Sequence, residues 1–339
     1  MNMHYVTRRV QRGLTLVELM VGLTLGLLVT AALLTVFANA SNTGRNLERA
    51  SQQIETGRYV AELLSEDLRL AGFYGEVQLA GAVYSQPNPC STTPNPTGAL
   101  NWVADPLTLP SPVRGYRDAD AVTCLANRRA GTDAIAMRRV SSETTAPSSI
   151  TTPNTQNYVQ YSYCVSDPAM TRLVFGTDSS SFVLHNRNCT AANTVRAYVS
   201  RIYFVASCNQ CGSGGDSIPT LKRMELVGNQ LVETPLAEGV EMLRIEYGFD
   251  TNNDGAPDTY LLAADAAVTG ATWENVVSIK MHYVTRSIDK ASGTGLATAQ
   301  SFTLGGAGTY EIATADGYTR RAYTTVIRLA NPSGVREIQ

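Results

Sequence analysis

Lysine is nearly missing: the 339-residue chain has only Lys222, Lys280 and Lys290 among its 27 basic residues, which face 29 acidic ones. With no basic tract for a phosphate backbone to follow, nucleic acid is excluded as the expected partner. Charged residues make up only 17% and aromatics 7%, whereas 44% of positions are hydrophobic, so the chain is not disordered and can bury a sizeable core. Histidine is confined to His4, His185 and His282, and no nucleophile elbow, phosphate loop or HExxH string occurs. Acid pairs such as Glu62/Glu66 have the i,i+4 spacing of a solvated helix face, and the reading is that this is not an enzyme.

Apolar residues are concentrated in Leu14–Ala38, 25 residues with one charge, Glu18. Such a run can span a bilayer. Arg8, Arg9 and Arg12 precede it with no acid, so the N-terminus is expected in the cytoplasm and everything beyond about residue 40 outside. All six cysteines, Cys90, Cys124, Cys164, Cys189, Cys208 and Cys211, lie in that exported part, where up to three disulfides persist.

Three readings compete for the N-terminal segment: a cleaved signal, a permanent anchor, or a prepilin leader cut on the cytoplasmic side. Ala38-Asn39-Ala40 offers a small-x-small site for the first, with Ser41 as the new start. Glu18 argues against the first two, because a carboxylate in the first turns of an apolar helix is costly to insert and calls for a partner. The run Arg12-Gly13-Leu14-Thr15-Leu16-Val17-Glu18 resembles the type IV prepilin signature. That resemblance implies cleavage between Gly13 and Leu14 by a prepilin peptidase, methylation of the new Leu14 amine, and neutralisation of a neighbouring subunit's amine by Glu18. Leu14 departs from the Phe more usual there.

Leu47, Ala50, Ile54, Gly57, Ala61, Leu64, Leu68 and Ala71 alternate steps of three and four, extending the helix to a stop at Gly72, with Gly57 a weak point in the stripe. Unbroken, Leu14–Ala71 would be about 87 Å long. The expected divisions are a leader (1–13), a membrane and assembly helix (14–38), its amphipathic continuation (39–72) and an exported β-rich domain (73–339). In that domain Val277, Ile279, Met281 and Tyr283 alternate with Ser278, Lys280 and His282, predicting a half-buried strand with His282 on its polar face. Leu243, Ile245, Tyr247 and Phe249 alternate likewise, and similar runs occupy 133–140, 157–165, 170–175, 195–206, 220–227 and 321–329. The fold class is therefore α+β, a long helix on a large antiparallel sheet or pair of sheets. Residues 85–115 and 141–157 are Pro-, Ser-, Thr- and Asn-rich and predict long loops. Met3–Arg8 recurs verbatim as Met281–Arg286, a repeat without a physical account at this level.

Asp250, Asn252, Asp254 and Asp258 surround Gly255 in the spacing of an extracellular calcium loop, although Leu261 stands where an EF-hand needs its bidentate Glu. A polar hairpin turn explains the same string, so Ca2+ and no cofactor both stay open. Cys208-Asn209-Gln210-Cys211 is readable as a redox dithiol, half a zinc site or a structural bridge; the following Gly212-Ser213-Gly214-Gly215 provides no helix N-terminus, which favours the bridge. For the other four, pairing in sequence order joins Cys90 to Cys124 and Cys164 to Cys189.

Later strings resemble the PilW-type minor pilins: Tyr203-Phe204-Val205, Pro219–Arg223, Glu238–Glu241 with Ile245-Glu246-Tyr247, Trp273–Val277 and Arg320–Thr325. The resemblance implies a single-pass inner-membrane protein whose C-terminal domain is periplasmic and later stands at the pilus tip. Its implied partners are other minor pilins and the major pilin through the N-terminal helix, a PilY-type tip adhesin, and the prepilin peptidase; its implied work is priming pilus assembly, adhesion and twitching motility. A GspJ-like pseudopilin of type II secretion has the same plan, and an anchored calcium-binding module or a thiol oxidoreductase using Cys208 and Cys211 is a rival of another class.

Overall fold

A computed structural model describes residues 13, 15–75, 82–92, 102–104, 107–151, 154–168, 173–263, 270–290, 299–313 and 316–337, without the side chains of 270–272. The leader 1–12, Leu14, the first copy of the repeat and parts of the long loops lie outside them. Helix α1 runs Leu16–Arg69, with Arg69 in its last turn, where a cation complements the exposed carbonyls. It ends because Gly72 adopts φ +74, a conformation open to glycine, and turns its N–H to the Arg138 carbonyl at 2.9 Å.

The chain divides into two compact units, Met1–Ser51 and Gln52–Gln339. In the first, the apolar side chains of α1 from Leu16 to Phe37 are all exposed, Phe37 at 73%. In the second, the rest of α1 buries Gln53, Gly57, Val60, Leu64, Asp67 and Leu68. This face is rotated from the expected stripe: Val60 and Asp67 replace Ala61 at its centre, Ile54 sits half-buried at the flank, and Leu47 is 67% exposed. Gly57 lies on this buried face and is a point of close approach rather than a weak point. A Cβ there would lie 2.3 Å from Cζ of Tyr323, and the Tyr283 hydroxyl donates to the Gly57 carbonyl at 2.7 Å. The loss of helix propensity at glycine, about 1 kcal/mol, is offset by two tyrosines packing directly on the backbone.

The strands are β1 (Val83–Ser85), β2 (Thr108–Pro110), β3 (Val113–Tyr116), β4 (Ala134–Val140), β5 (Tyr158–Tyr161), β6 (Leu173–Gly176), β7 (Val195–Ala206), β8 (Thr220–Val227), β9 (Gln230–Glu238), β10 (Val240–Phe249), β11 (Thr259–Leu262), β12 (Val276–Arg286), β13 (Gln300–Thr303), β14 (Thr309–Ile312) and β15 (Arg320–Arg328). A seven-stranded sheet runs β3-β4-β7-β5-β6, with β8 on β7 and β9 on β8; a four-stranded sheet runs β11-β10-β12-β15. Both are antiparallel throughout. Their inner faces meet α1 in one core that includes Leu64, Leu68, Ile135, Met137, Val205, Leu243, Ile245, Ile279, Met281 and Ile327. Burying each such aliphatic side chain contributes about 2 kcal/mol. Asp133 ties the sheets together, its N–H reaching the Leu243 carbonyl and its carboxylate accepting the Ile245 N–H, both at 2.8 Å.

Strand β12 corrects an expectation. Its polar face is covered as well: Ser278 and His282 are each 4% exposed. The turn between β13 and β14 lies over it, with the Gly306 N–H donating to Glu246 at 2.8 Å and His282 Nε2 3.0 Å from the same carboxylate oxygen. His282 Nδ1 meets the Thr324 hydroxyl at 2.9 Å. Pairing, not solvent, satisfies these polar groups. The second copy of the repeat is thus accounted for by both faces of a central strand.

Helix α2 (Ala330–Glu337) was not anticipated, since Pro332 and Gly334 lie inside it. It is held by its contacts: Asn331 donates to the Ala71 carbonyl at 3.2 Å and Ser333 to the Gly255 carbonyl at 2.6 Å. The disulfides are Cys90–Cys124, Cys164–Cys189 and Cys208–Cys211, spanning 34, 25 and 3 residues. In the chain-entropy description the first two restrain the unfolded chain by between about 3 and 4 kcal/mol and the third by about 2 kcal/mol.

Candidate functional site

At the helix start, Gly13 is exposed and a Cβ there would meet nothing within 4 Å. Thr15 and Glu18 form a reciprocal capping box. The Glu18 N–H donates to Thr15 Oγ1 at 3.3 Å, while Glu18 Oε2 accepts the Thr15 N–H at 3.1 Å and the Thr15 hydroxyl at 3.0 Å. The carboxylate to which the resemblance gives an assembly charge therefore also starts the helix locally, a role that the Thr-x-x-Glu string already carried and sequence reading missed. Leu14, the residue between, lies outside the described residues.

Beyond the box the helix is suited to an apolar surrounding. Its best window has a mean hydropathy of 2.3 and is 0% buried within the molecule. The threonines return their hydroxyls to the helix itself: Thr24 to the Met20 carbonyl at 3.0 Å, Thr30 to Gly26 at 2.6 Å and Thr35 to Ala32 at 2.7 Å. No hydroxyl of these three is left for lipid to satisfy.

The Asp250–Asp258 loop folds around its own side-chain oxygens. Asp250 is fully buried, and its carboxylate accepts the N–H groups of Asn252, Asn253 and Gly255 at 3.2, 2.7 and 2.9 Å, with the Arg336 guanidinium 3.6 Å away. Asp258 accepts both the N–H and the hydroxyl of Thr251 at 2.7 Å, which hold its carboxyl below the usual range. Asp254 accepts the Ala256 N–H at 2.8 Å, and Asn252 donates to Asp254 at 3.1 Å. Among the described residues no three His, Cys, Asp or Glu side chains are grouped to hold a metal. The loop's oxygens are used to fold the loop, and the cation facing Asp250 is Arg336. If the loop takes calcium, these oxygens exchange part of their bonding for the ion and the thermal midpoint rises in excess calcium over excess chelator; an unchanged midpoint overturns the metal reading.

Other polar clusters are structural in their geometry. Asp167 accepts from the His185 N–H at 2.9 Å and from Ser162 at 2.6 Å, and its second oxygen lies 2.8 Å from His185 Nδ1; the backbone bond first, then Ser162 and the imidazole, hold the carboxyl at about 2. The serine donates to the carboxylate rather than to the imidazole, an arrangement unlike that of a Ser-His-Asp triad. Asp67, which no sequence pattern marked, is 2.9 Å from Arg201 and 3.3 Å from Arg139 and accepts the Tyr203 hydroxyl. It joins the helix to the seven-stranded sheet.

Residues 202–331 match the family model described as Type IV Pilus-assembly protein W, and residues 8–34 match that of the Prokaryotic N-terminal methylation motif. No curated protein matches the chain. Among solved structures, a type IV-like pilin from Thermus thermophilus is similar at a TM-score of 0.31 and 10% identity, over 84% of this chain and 96% of that one, a superposition too loose to transfer detail.

Proposed function

We propose that this type IV pilin-like chain of the PilW type is a structural minor pilin, whose N-terminal helix enters an assembly and whose β-rich unit is presented outside the membrane. The observation that carries the reading is the exposed apolar helix headed by Gly13 and the Thr15–Glu18 box. Before assembly the helix lies in the inner membrane with the leader in the cytoplasm and the β-rich unit in the periplasm. After cleavage the Leu14 amine is neutralised by Glu18 of a neighbouring subunit, and lipid is exchanged for neighbouring helices with no further polar group to satisfy. The β-rich unit then joins other minor pilins and a PilY-type adhesin at the tip, priming assembly and supporting adhesion and twitching. Work of this kind is binding rather than catalysis.

The test is the intact mass and N-terminal sequence of the protein from membrane and sheared surface fractions. The expected start is a methylated Leu14, with a bulky replacement of Gly13 leaving the chain uncut and in the membrane. A start at Ser41 or an uncut Met1 in the wild type would overturn the reading.

A further inference from the structure

We infer that Cys208–Cys211 is a thiol-exchange site, a bridge that a thiol-bearing partner opens, with Cys211 leaving as a thiolate opposite the Lys222 ammonium. The bridge lies in the loop between β7 and β8, and Lys222 is on β8. The Lys222 side chain is 3% exposed, and its Nζ stands 3.5 Å from Cys211 Sγ and 2.6 Å from Glu233 Oε1. A buried ammonium needs anionic or strongly polar company. The neutral sulfur of a disulfide offers little, whereas a thiolate at the same place offers an opposite charge. Lys222 therefore favours the opened state over the closed one, lowering the proton affinity of the leaving sulfur.

The neighbouring acids set the limit of this effect. Glu233 shares the ammonium, and Asp216 is ionised, held below its usual range by the N–H groups of Ile218 and Gln210 first and by Lys222 last. Asp216 also accepts the Asn209 N–H at 2.8 Å, so the loop keeps a frame that does not depend on the sulfurs. The bridge closes the shortest loop of the three; Cys208 is 8% exposed and Cys211 half-buried, and residues 212–215 beyond them are exposed. The strands on either side of it carry Val205 and Leu221 into the core.

The exchange balances with an external thiol as reductant. Its thiolate attacks Cys208 Sγ, the S–S bond breaks, and the electron pair leaves on Cys211 beside Lys222. A second thiolate then attacks the external sulfur of the mixed disulfide and releases Cys208, which takes a proton from water. Two external thiolates are oxidised to one disulfide, and the protein bridge is reduced to the Cys208 thiol and the Cys211 thiolate.

The experiment incubates the full chain in detergent with glutathione buffers of graded reduced-to-oxidised ratio, quenches with an alkylating agent and maps the labelled cysteines by mass spectrometry. The expected result is that Cys208 and Cys211 are labelled at milder ratios than the other four. Lys222→Met raises the required ratio roughly tenfold, Lys222→Arg restores it, and Glu233→Gln lowers it. Opposite shifts for the two single variants separate the charge effect from a packing defect. Simultaneous opening of all three bridges, or a midpoint unmoved by Glu233→Gln, would overturn the inference, and this holds even if Lys222→Met fails to fold.

Discussion

Glu18→Gln is expected to leave the chain processed and its helix intact while reducing its appearance in sheared surface fractions more than about tenfold. The structure makes this variant more informative than an alanine. Gln can take the place of Glu in a capping box, so the bonds between Thr15 and residue 18 persist and only the charge is lost. An amine left unneutralised in an apolar assembly costs about 3 kcal/mol on insertion scales, more than the roughly 1.4 kcal/mol of a tenfold effect. Thr15→Val is the complement. It removes the acceptor for the Glu18 N–H, costing about 1 kcal/mol of cap, but keeps the carboxylate. It should be incorporated nearly as well as the wild type. Quantitative immunoblotting of membrane and surface fractions reads both. Wild-type incorporation of Glu18→Gln, or equal failure of the two variants, would show that residue 18 serves the helix start and not an intermolecular charge.

Asp67→Asn is expected to destabilise the β-rich unit by about 3 kcal/mol, because it leaves two guanidinium groups facing an uncharged partner in a buried setting. Burial is the largest influence on this carboxyl and opposes ionisation, but the Tyr203 hydroxyl, Arg201 and Arg139 together outweigh it and hold the group below its ordinary range. The linkage has a definite sign: a folded-state pKa below the unfolded one contributes stability that is fully present above the ordinary carboxylate range and is lost as pH falls through the folded value. The wild type should therefore lose stability on acidification below about pH 4 more steeply than the variant, and the gap between them should narrow there. Denaturant titrations of both chains across that range provide the check. A constant gap would mean that the Asp67→Asn change costs packing alone and that the ion pairs are energetically idle. Tyr203 and Arg201 are pushed upward by the same arrangement, burial acting first on the phenol and Asp67 ionisation reinforcing it.

Much of the architecture was legible. The runs at 195–206, 220–227 and 321–329 coincide closely with β7, β8 and β15, because apolar and β-branched residues are concentrated there. The helix stop at Gly72 was legible for a backbone reason. Strand β9 was not, since Pro235 and three outward acids or amides disguise an edge strand. A proline is tolerated there because the ladder shifts register opposite Leu221/Lys222. At the helix start, the roles expected of Gly13 and Glu18 came from the prepilin resemblance, whereas the Thr15–Glu18 capping box was legible in the Thr-x-x-Glu string itself. The calcium spacing was legible, but the same oxygens that could ring a cation also satisfy a tight turn, so spacing alone does not choose between them.

By itself the sequence determined which segment is apolar enough for lipid, where its single charge stands, and which strands alternate, because those properties belong to residues and their periods. Only the tertiary structure decided what covers each face. Periodicity cannot distinguish a polar side chain in water from one paired in the interior, so the burial of His282 against Glu246, the inward turn of Asp250, the approach of Tyr323 to Gly57 and the meeting of Lys222 with Cys211 depend on distant segments brought together.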